Sequence, residues 1–72
     1  MITLGTFLLH STKVGEVVVV TLCGWDIATY VIDHEDLFIK YVPEELRWKT
    51  VKTTKRENRN WAVNPVTVVE VG

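Results

Sequence analysis

The fold is decided by the stretch Glu16-Val17-Val18-Val19-Val20-Thr21-Leu22-Cys23-Gly24-Trp25. Its four consecutive valines show no 3.6-residue period, and β-branched side chains pack well on a pleated sheet but lose rotamer freedom in a helix. The stretch therefore predicts a strand that is buried on both faces. Such a strand needs neighbours on both sides, so we expect the rest of the chain to fold around it.

The chain has 72 residues, which predicts a single small β domain spanning residues 1–72. A domain of this size buries only about 60% of the surface that its unfolded chain exposes, so nearly every apolar side chain is needed in one core. We therefore expect most of the large aromatic side chains to be buried and one or two to stay partly exposed, with Trp25 and Trp61 as the first candidates. We expect no deep pocket for a small-molecule substrate. Valine, isoleucine and threonine are abundant while alanine is scarce, which indicates a mostly β protein.

Apolar alternation predicts further strands on both sides of the central one. A first strand is expected from Ile2 to Leu9, and a hairpin is expected to pair the segment from Ile27 to Ile32 with the segment from Leu37 to Val42. The tip of this hairpin is the acidic run Asp33-His34-Glu35-Asp36, which we interpret as a solvated turn.

One helical turn is predicted from Pro43 to Leu46, because proline is favoured at the first helical position and acidic residues are favoured beside it. The chain is then expected to return to a strand from Leu46 to Val51, and to form strands again at residues 61–63 and 66–71. Polar residues fall on both parities of the last strand, so either a bulge or burial on both faces would explain its pattern.

These elements predict a mostly β domain of five or six short strands with one helical turn. Two architectures fit so short a chain: a small barrel of the SH3-like kind, or a strongly bent antiparallel sheet. Whether the last strand closes a barrel stays open at this point.

Charge is distributed unevenly along the chain. From Met1 to Asp36 the only cation besides the terminus is Lys13, whereas six cations lie between Arg47 and Arg59. We expect this basic stretch to form a hairpin that binds an anionic macromolecule, either nucleic acid or an acidic protein surface, with nearby aromatic side chains available for stacking. The candidate binding residues are Arg47, Lys49, Lys52, Lys55, Arg56, Arg59, Trp61 and Trp25. Alternatively, the cations only block unwanted pairing of an exposed edge strand.

Signatures of catalysis are missing from the sequence: it has no glycine-rich phosphate loop, no Gly-x-Ser-x-Gly motif and no His-Glu-x-x-His motif. We therefore expect no catalytic residues and no cofactor. The spacing of His10, Cys23 and His34 resembles no zinc site, so we expect no metal. Cys23 lies next to the most apolar stretch, which predicts a buried thiol. With no membrane-length apolar run and no basic leader, the expected location is the cytoplasm.

The first functional hypothesis is thus a noncatalytic binding module that uses the basic hairpin from Arg47 to Arg59. The alternative is a small accessory protein, of the sort that viral genomes encode, which inhibits or assembles with a protein partner. In that alternative the contacts come from sheet edges and exposed aromatic side chains such as Trp25. Self-assembly into a homo-oligomer is one variant of it.

Overall fold

The computed structural model describes residues 1–33 and 37–72, whose four strands form one sheet in the order β2-β1-β4-β3. The elements in chain order are α1 (Leu4–His10), β1 (Val17–Leu22), β2 (Trp25–Val31), a 3₁₀ helix (Leu37–Tyr41), α2 (Glu44–Arg47), β3 (Val51–Glu57) and β4 (Val66–Val71). The sheet is mixed, because β1 pairs antiparallel with β2 and parallel with β4, while β3 pairs antiparallel with β4.

The prediction of a central strand buried on both faces is confirmed. β1 lies between β2 and β4, and the side chains of Val18, Val19 and Val20 are fully buried. Strand alternation sends Val18 and Val20 to one face of the sheet and Val19 to the other. We call the first the helical face, because the helices cover it, and the second the open face.

β4 is also buried on both faces, which explains why its sequence pattern showed no polar side. Val69 and Val71 join the core on the helical face, while Val66 and Val68 join Val19 on the open face. Parallel pairing with β1 surrounds β4 by strands on both flanks, and such strands tend to be apolar throughout. Of the two explanations offered by the sequence, burial on both faces is the one that holds.

The predicted first strand from Ile2 to Leu9 is wrong, because residues 4–10 form α1. Thr3 is its N-cap, and its hydroxyl accepts a hydrogen bond from the backbone N–H of Thr6 at 3.4 Å. Leu4 and Leu8, four residues apart, lie on one side of the helix and are fully buried in the core of the helical face. Their positions fit a helical stripe as well as a strand alternation, and tertiary packing decides for the helix.

The predicted hairpin partner at Leu37 to Val42 is likewise wrong, since residues 37–41 form the 3₁₀ helix, which buries Phe38. The predicted acidic turn falls on residues 33–36, of which 34–36 lie outside the described residues. The helical turn near Pro43 is confirmed as α2. The strand that was predicted to resume at Leu46 begins only at Val51, as β3. The strand predicted at residues 61–63 is absent, and these residues are irregular.

The architecture is therefore a mostly β domain, as predicted, but neither a barrel nor an antiparallel sheet. Within the described residues there are four strands and not five or six, and β2 and β3 are open edges. Ten buried side chains fill the space between the sheet and the helices, and among the strands only the two central ones, β1 and β4, contribute to this set. Among the same residues, no helix is both long and apolar enough to cross a membrane.

A two-residue turn joins β1 to β2, and it changes the expected environment of the cysteine. Both turn residues have positive φ, 52° at Cys23 and 83° at Gly24, as hairpin turns of type I′ require. This turn lies at the end of the sheet, so the prediction of a buried thiol is wrong and the free Cys23 is exposed. Trp25, predicted to lie in the turn, is the first residue of β2.

Candidate functional site

Four charged side chains form a continuous chain of ion pairs on the open face. Lys55 Nζ lies 2.9 Å from Glu57 Oε2, and Glu57 Oε1 accepts a hydrogen bond from Arg59 Nε at 2.8 Å. Arg59 Nη1 in turn lies 2.7 Å from Asp26 Oδ2 on β2. Two cations and two carboxylates alternate, so their formal charges cancel.

The ion pairs hold the segment of residues 58–65, which joins β3 to β4, against the open face. Arg59 directly follows one sheet edge, and Asp26 belongs to the opposite edge strand, so their contact reaches over the sheet. Ala62 in this segment packs against the buried cluster of Val19, Val66 and Val68. The segment therefore excludes water from a second, smaller apolar core.

The same contacts shift the acidity of the charged groups. A hydrogen bond from Lys55, together with the positive charges of Lys55 and Arg59, lowers the pKa of Glu57 below the usual range of a carboxyl. A hydrogen bond to Asp26 raises the pKa of the Arg59 guanidinium. Both shifts favour the charged forms, as expected for opposite charges in contact.

The structure does not bring the predicted basic residues into one patch. Lys52, Lys55 and Arg56 are exposed on β3, but Lys55 and Arg59 are paired with carboxylates as described. Arg56 donates to the backbone carbonyl of Pro65 at 3.4 Å, which is a weak contact. Lys52 occupies a bulge in β3, between the residues that pair with Val71 and Glu70.

The two remaining cations of the basic stretch, Arg47 and Lys49, lie before β3 and are half-buried. Arg47 packs over Gly5 of α1, and its Nε atom is buried without a hydrogen bond to any described residue. The backbone carbonyl of Lys49 accepts a hydrogen bond from the N–H of Leu4 at 2.8 Å. Through these contacts Arg47 and Lys49 join the end of α2 to α1. Both residues therefore lie apart from the exposed cations of β3.

All three tryptophans are exposed, which confirms the expectation for Trp25 and Trp61 and contradicts it for Trp48, which was expected in the core. The exposed fractions are 77% for Trp25, 70% for Trp48 and 58% for Trp61. They do not form one surface, because Trp25 begins β2, Trp48 follows α2 and Trp61 lies in the segment of residues 58–65. Valines and leucines fill the core in their place.

The outer edge of β2 is the second distinctive surface. β2 is an edge strand, and the side chains of Trp25, Ile27 and Val31 are exposed along it. It contains no lysine or arginine, and its one charged residue, Asp26, is neutralised by Arg59. Within the described parts of the chain the outer backbone groups of this strand have no strand partner, and an edge of this kind without cationic side chains is one to which another strand can add.

Two threonine–carboxylate pairs fasten β1 to β4, one on each face. Thr67 donates to Glu16 on the helical face, and Thr21 donates to Glu70 at 2.5 Å on the open face. Glu70 also accepts the backbone N–H of Cys23 at 2.7 Å. These hydrogen bonds, with that from Thr21 contributing most, lower the pKa of Glu70. The carboxylates thus stabilise the parallel pair, and their hydrogen bonds are directed within the fold.

Sequence reasoning missed Ile27, Thr29 and Val31 as candidate interaction residues. The segment from Ile27 to Ile32 was expected to form a strand. Its predicted hairpin partner, the segment from Leu37 to Val42, would have covered its outer edge. The available signal was the absence of lysine and arginine from Trp25 to Val31, in contrast with the three cations of β3.

Comparisons with protein-family models, with curated proteins and with solved structures find no match to this chain.

Proposed function

We propose that this chain is a noncatalytic protein-interaction module that binds an extended segment of a protein along the outer edge of β2. The supporting observation is that this edge combines outward-facing backbone groups with exposed apolar side chains and no cation. Strand addition at a sheet edge is a common mode of peptide recognition, in which main-chain hydrogen bonds give affinity and side chains give specificity.

The direction of the backbone groups follows from the hydrogen bonds at the end of β2. The N–H of Ile32 donates to the carbonyl of Glu16 at 2.9 Å, and the carbonyl of Ile32 accepts from Gly15 at 2.8 Å. Both groups of Ile32 therefore point towards β1. Because the direction alternates along an antiparallel strand, the N–H and C=O groups of Thr29 and Val31 point outwards. No other described residue hydrogen-bonds to them, so they are available to an added strand.

The two sheet edges differ in a way that favours β2 for this role. β3 presents Lys52, Lys55 and Arg56, and lysine on an edge strand opposes the approach of another strand. On β2, Val31 is 59% exposed and Ile27 is 45% exposed. An added strand would cover part of this apolar surface as it satisfies the backbone.

Site-specific photo-crosslinking in the producing cells tests the proposal. Val31 is replaced by p-benzoylphenylalanine, and Thr54, at a similarly exposed position on β3, is replaced in a matched control. We expect crosslinks to a protein from position 31 and not from position 54, and we expect Thr29→Pro to abolish them because it removes an outward N–H. Equal crosslinking from both positions, or none from position 31, would contradict the proposal.

Binding of an anionic macromolecule is the second candidate function. The observation in its favour is that Lys52, Lys55 and Arg56 are all exposed on one strand, with Trp61 exposed in the segment that follows. Against it, Lys55 and Arg59 are each in contact with a carboxylate, which reduces the positive field of the hairpin.

Nucleic-acid binding at low and physiological salt tests this candidate. Labelled single-stranded RNA, single-stranded DNA and duplex DNA are titrated with the natural chain and with a variant in which Lys52, Lys55 and Arg56 are replaced by glutamine. The control variant replaces Lys13 and Lys40, two exposed cations outside β3. Binding that falls steeply with salt and is lost only in the β3 variant would support the candidate. Absence of binding at low salt would exclude nucleic acid as the anion.

A further inference from the structure

We infer that the strand which β2 accepts is the β2 strand of a second copy, paired antiparallel about a two-fold axis at Tyr30. This inference rests on the proposed use of the β2 edge and names its partner. It follows from the charges, the backbone directions and the side chains of the edge itself.

Charge permits β2 to meet its own copy. Asp26 is the only charged residue in β2, and Arg59 holds its carboxylate at 2.7 Å, so the charges of the strand itself add little repulsion when two such edges approach. Two β3 edges would bring Lys52, Lys55 and Arg56 of one chain towards the same cations of the other. Like charges directly opposite each other destabilise strand pairing.

The register is set by the outward-facing backbone groups. In an antiparallel pair with a two-fold axis at Tyr30, Thr29 of each copy lies opposite Val31 of the other. Both residues point their N–H and C=O groups outwards, so each Thr29–Val31 pair exchanges two hydrogen bonds, giving about four bonds for the ladder. The irregular part of β2, where the register with β1 shifts near Ile27, stays outside this ladder.

The side chains are compatible with this register. Thr29 and Val31, which are exposed, would pair on the open face as two β-branched residues. Tyr30 is half-buried against the core of the helical face, and it would lie beside the Tyr30 of the second copy. Aromatic pairs at such positions contribute favourably to strand association.

The assembly closes at two copies. An isologous contact uses the β2 edges of both chains, so two four-stranded sheets become one continuous sheet. The outer edges of that sheet are then two β3 strands, each with Lys52, Lys55 and Arg56. These cations oppose further addition of strands, which is the role that the sequence offered for them as the alternative to binding an anionic partner.

The first test is the molar mass of the full chain by light scattering and sedimentation from micromolar to millimolar concentration. We expect the mass to rise from one chain to two and to stop there. Val31→Lys should weaken the association at least ten-fold, whereas Thr54→Lys on β3 should leave it unchanged. Thermal unfolding of both variants shows whether they are folded. A mass of one chain throughout the range overturns the inference, as does growth beyond two chains.

A second test reports on the register and does not depend on a destabilising change. In a Cys23→Ser background, Tyr30→Cys places one thiol beside the two-fold axis, where opposite Cα atoms of a non-hydrogen-bonded pair lie within disulfide range. We expect rapid formation of a disulfide-linked dimer on mild oxidation, and no such dimer with Thr54→Cys. Equal rates for the two variants overturn the register.

These outcomes separate the inference from the proposed function. If the chain is monomeric but position 31 crosslinks to a protein of another mass, the second copy is excluded as the partner and the use of the β2 edge stands. If the chain is monomeric and position 31 gives no crosslink, both are overturned.

Discussion

Val19→Ala measures how much the second core, on the open face, contributes to stability. Val19 is fully buried although no helix covers this face in the described part of the chain, where the segment of residues 58–65 packs over it. Loss of two methyl groups removes about 1.6 kcal/mol of transfer free energy, at about 0.8 kcal/mol for each. A residual cavity of roughly 40 Å³ adds about 1 kcal/mol at about 24 cal/mol per Å³. The free energy of unfolding should therefore fall by about 2.5 kcal/mol, since both terms act in the same direction.

Thermal and urea unfolding, followed by circular dichroism, measure this loss. For a domain of this size the expected drop in Tm is about 10–20 °C, because each kcal/mol corresponds to about 4–8 °C. Val63→Ala is the matched control, since the side chain of Val63 is fully exposed in the same covering segment and its loss should change stability by less than about 0.5 kcal/mol. If the two variants unfold alike, the open face holds no second core and the reasoning is refuted.

Three further outcomes follow from the charged groups and the hairpin turn. Arg59→Gln should release the segment of residues 58–65, so hydrogen exchange at the Ala62 amide, which donates to the Arg59 carbonyl at 3.1 Å, should become faster than in the control Lys52→Gln. Unchanged exchange would show that the ion pairs do not hold the segment. The pKa values of Glu57 and Glu70 lie below the ordinary 4.5 in the folded state, so the stability that these groups contribute is present above pH 4.5 and is lost as the pH falls through the folded values. The Tm should therefore decline in acid, and it should decline less steeply in Glu70→Gln. Parallel declines in the two proteins would show that Glu70 does not contribute to this pH dependence. The exposed thiol of Cys23 should react with a disulfide reagent in the folded chain without denaturant, and a requirement for denaturant would contradict its exposure.

The strands that the sequence predicts well are those whose burial leaves a local signature. The valines of β1 lack any polar side because the strand is covered on both faces, and the same holds for β4. The pairing partner of each strand carries no such signature. β1 and β4 are parallel neighbours although more than 40 residues separate them, as in the pair Val18 and Thr67, and no periodicity in either segment encodes that contact.

The helix at residues 4–10 shows where a short pattern is ambiguous. Leu4 and Leu8 satisfy a strand alternation, and the same two positions form a helical stripe. The decision comes from tertiary structure, because the sheet already buries its helical face against these leucines. The Thr3 cap is a local signal that favours the helix. In a prediction from sequence, however, this signal is too weak to outweigh the high β propensity of the surrounding residues.

The candidate site was predicted least well, because the order of charged residues in the sequence does not determine which of them contact each other in the folded chain. Arg59 belongs to a run of cations in sequence, yet its contacts are Glu57 and Asp26, the latter 33 residues away. The residues of β2 were overlooked because an edge is a property of the whole sheet. Trp25 was selected for its aromatic side chain, and it does lie at that edge.

The contrast between the two edges is difficult to explain by solubility alone. A chain that must avoid sheet-to-sheet association needs both edges protected, and the cations and the bulge of β3 do protect one. β2 has a bulge near Ile27 but no cation, and its outward groups at Thr29 and Val31 lie beyond the bulge in a regular part of the strand. In a domain of 72 residues that already leaves three tryptophans exposed, one unguarded strand edge adds a further cost in solubility. An occupant for that edge removes the cost, and this is why the β2 surface, rather than the more conspicuous cations, carries the functional proposal.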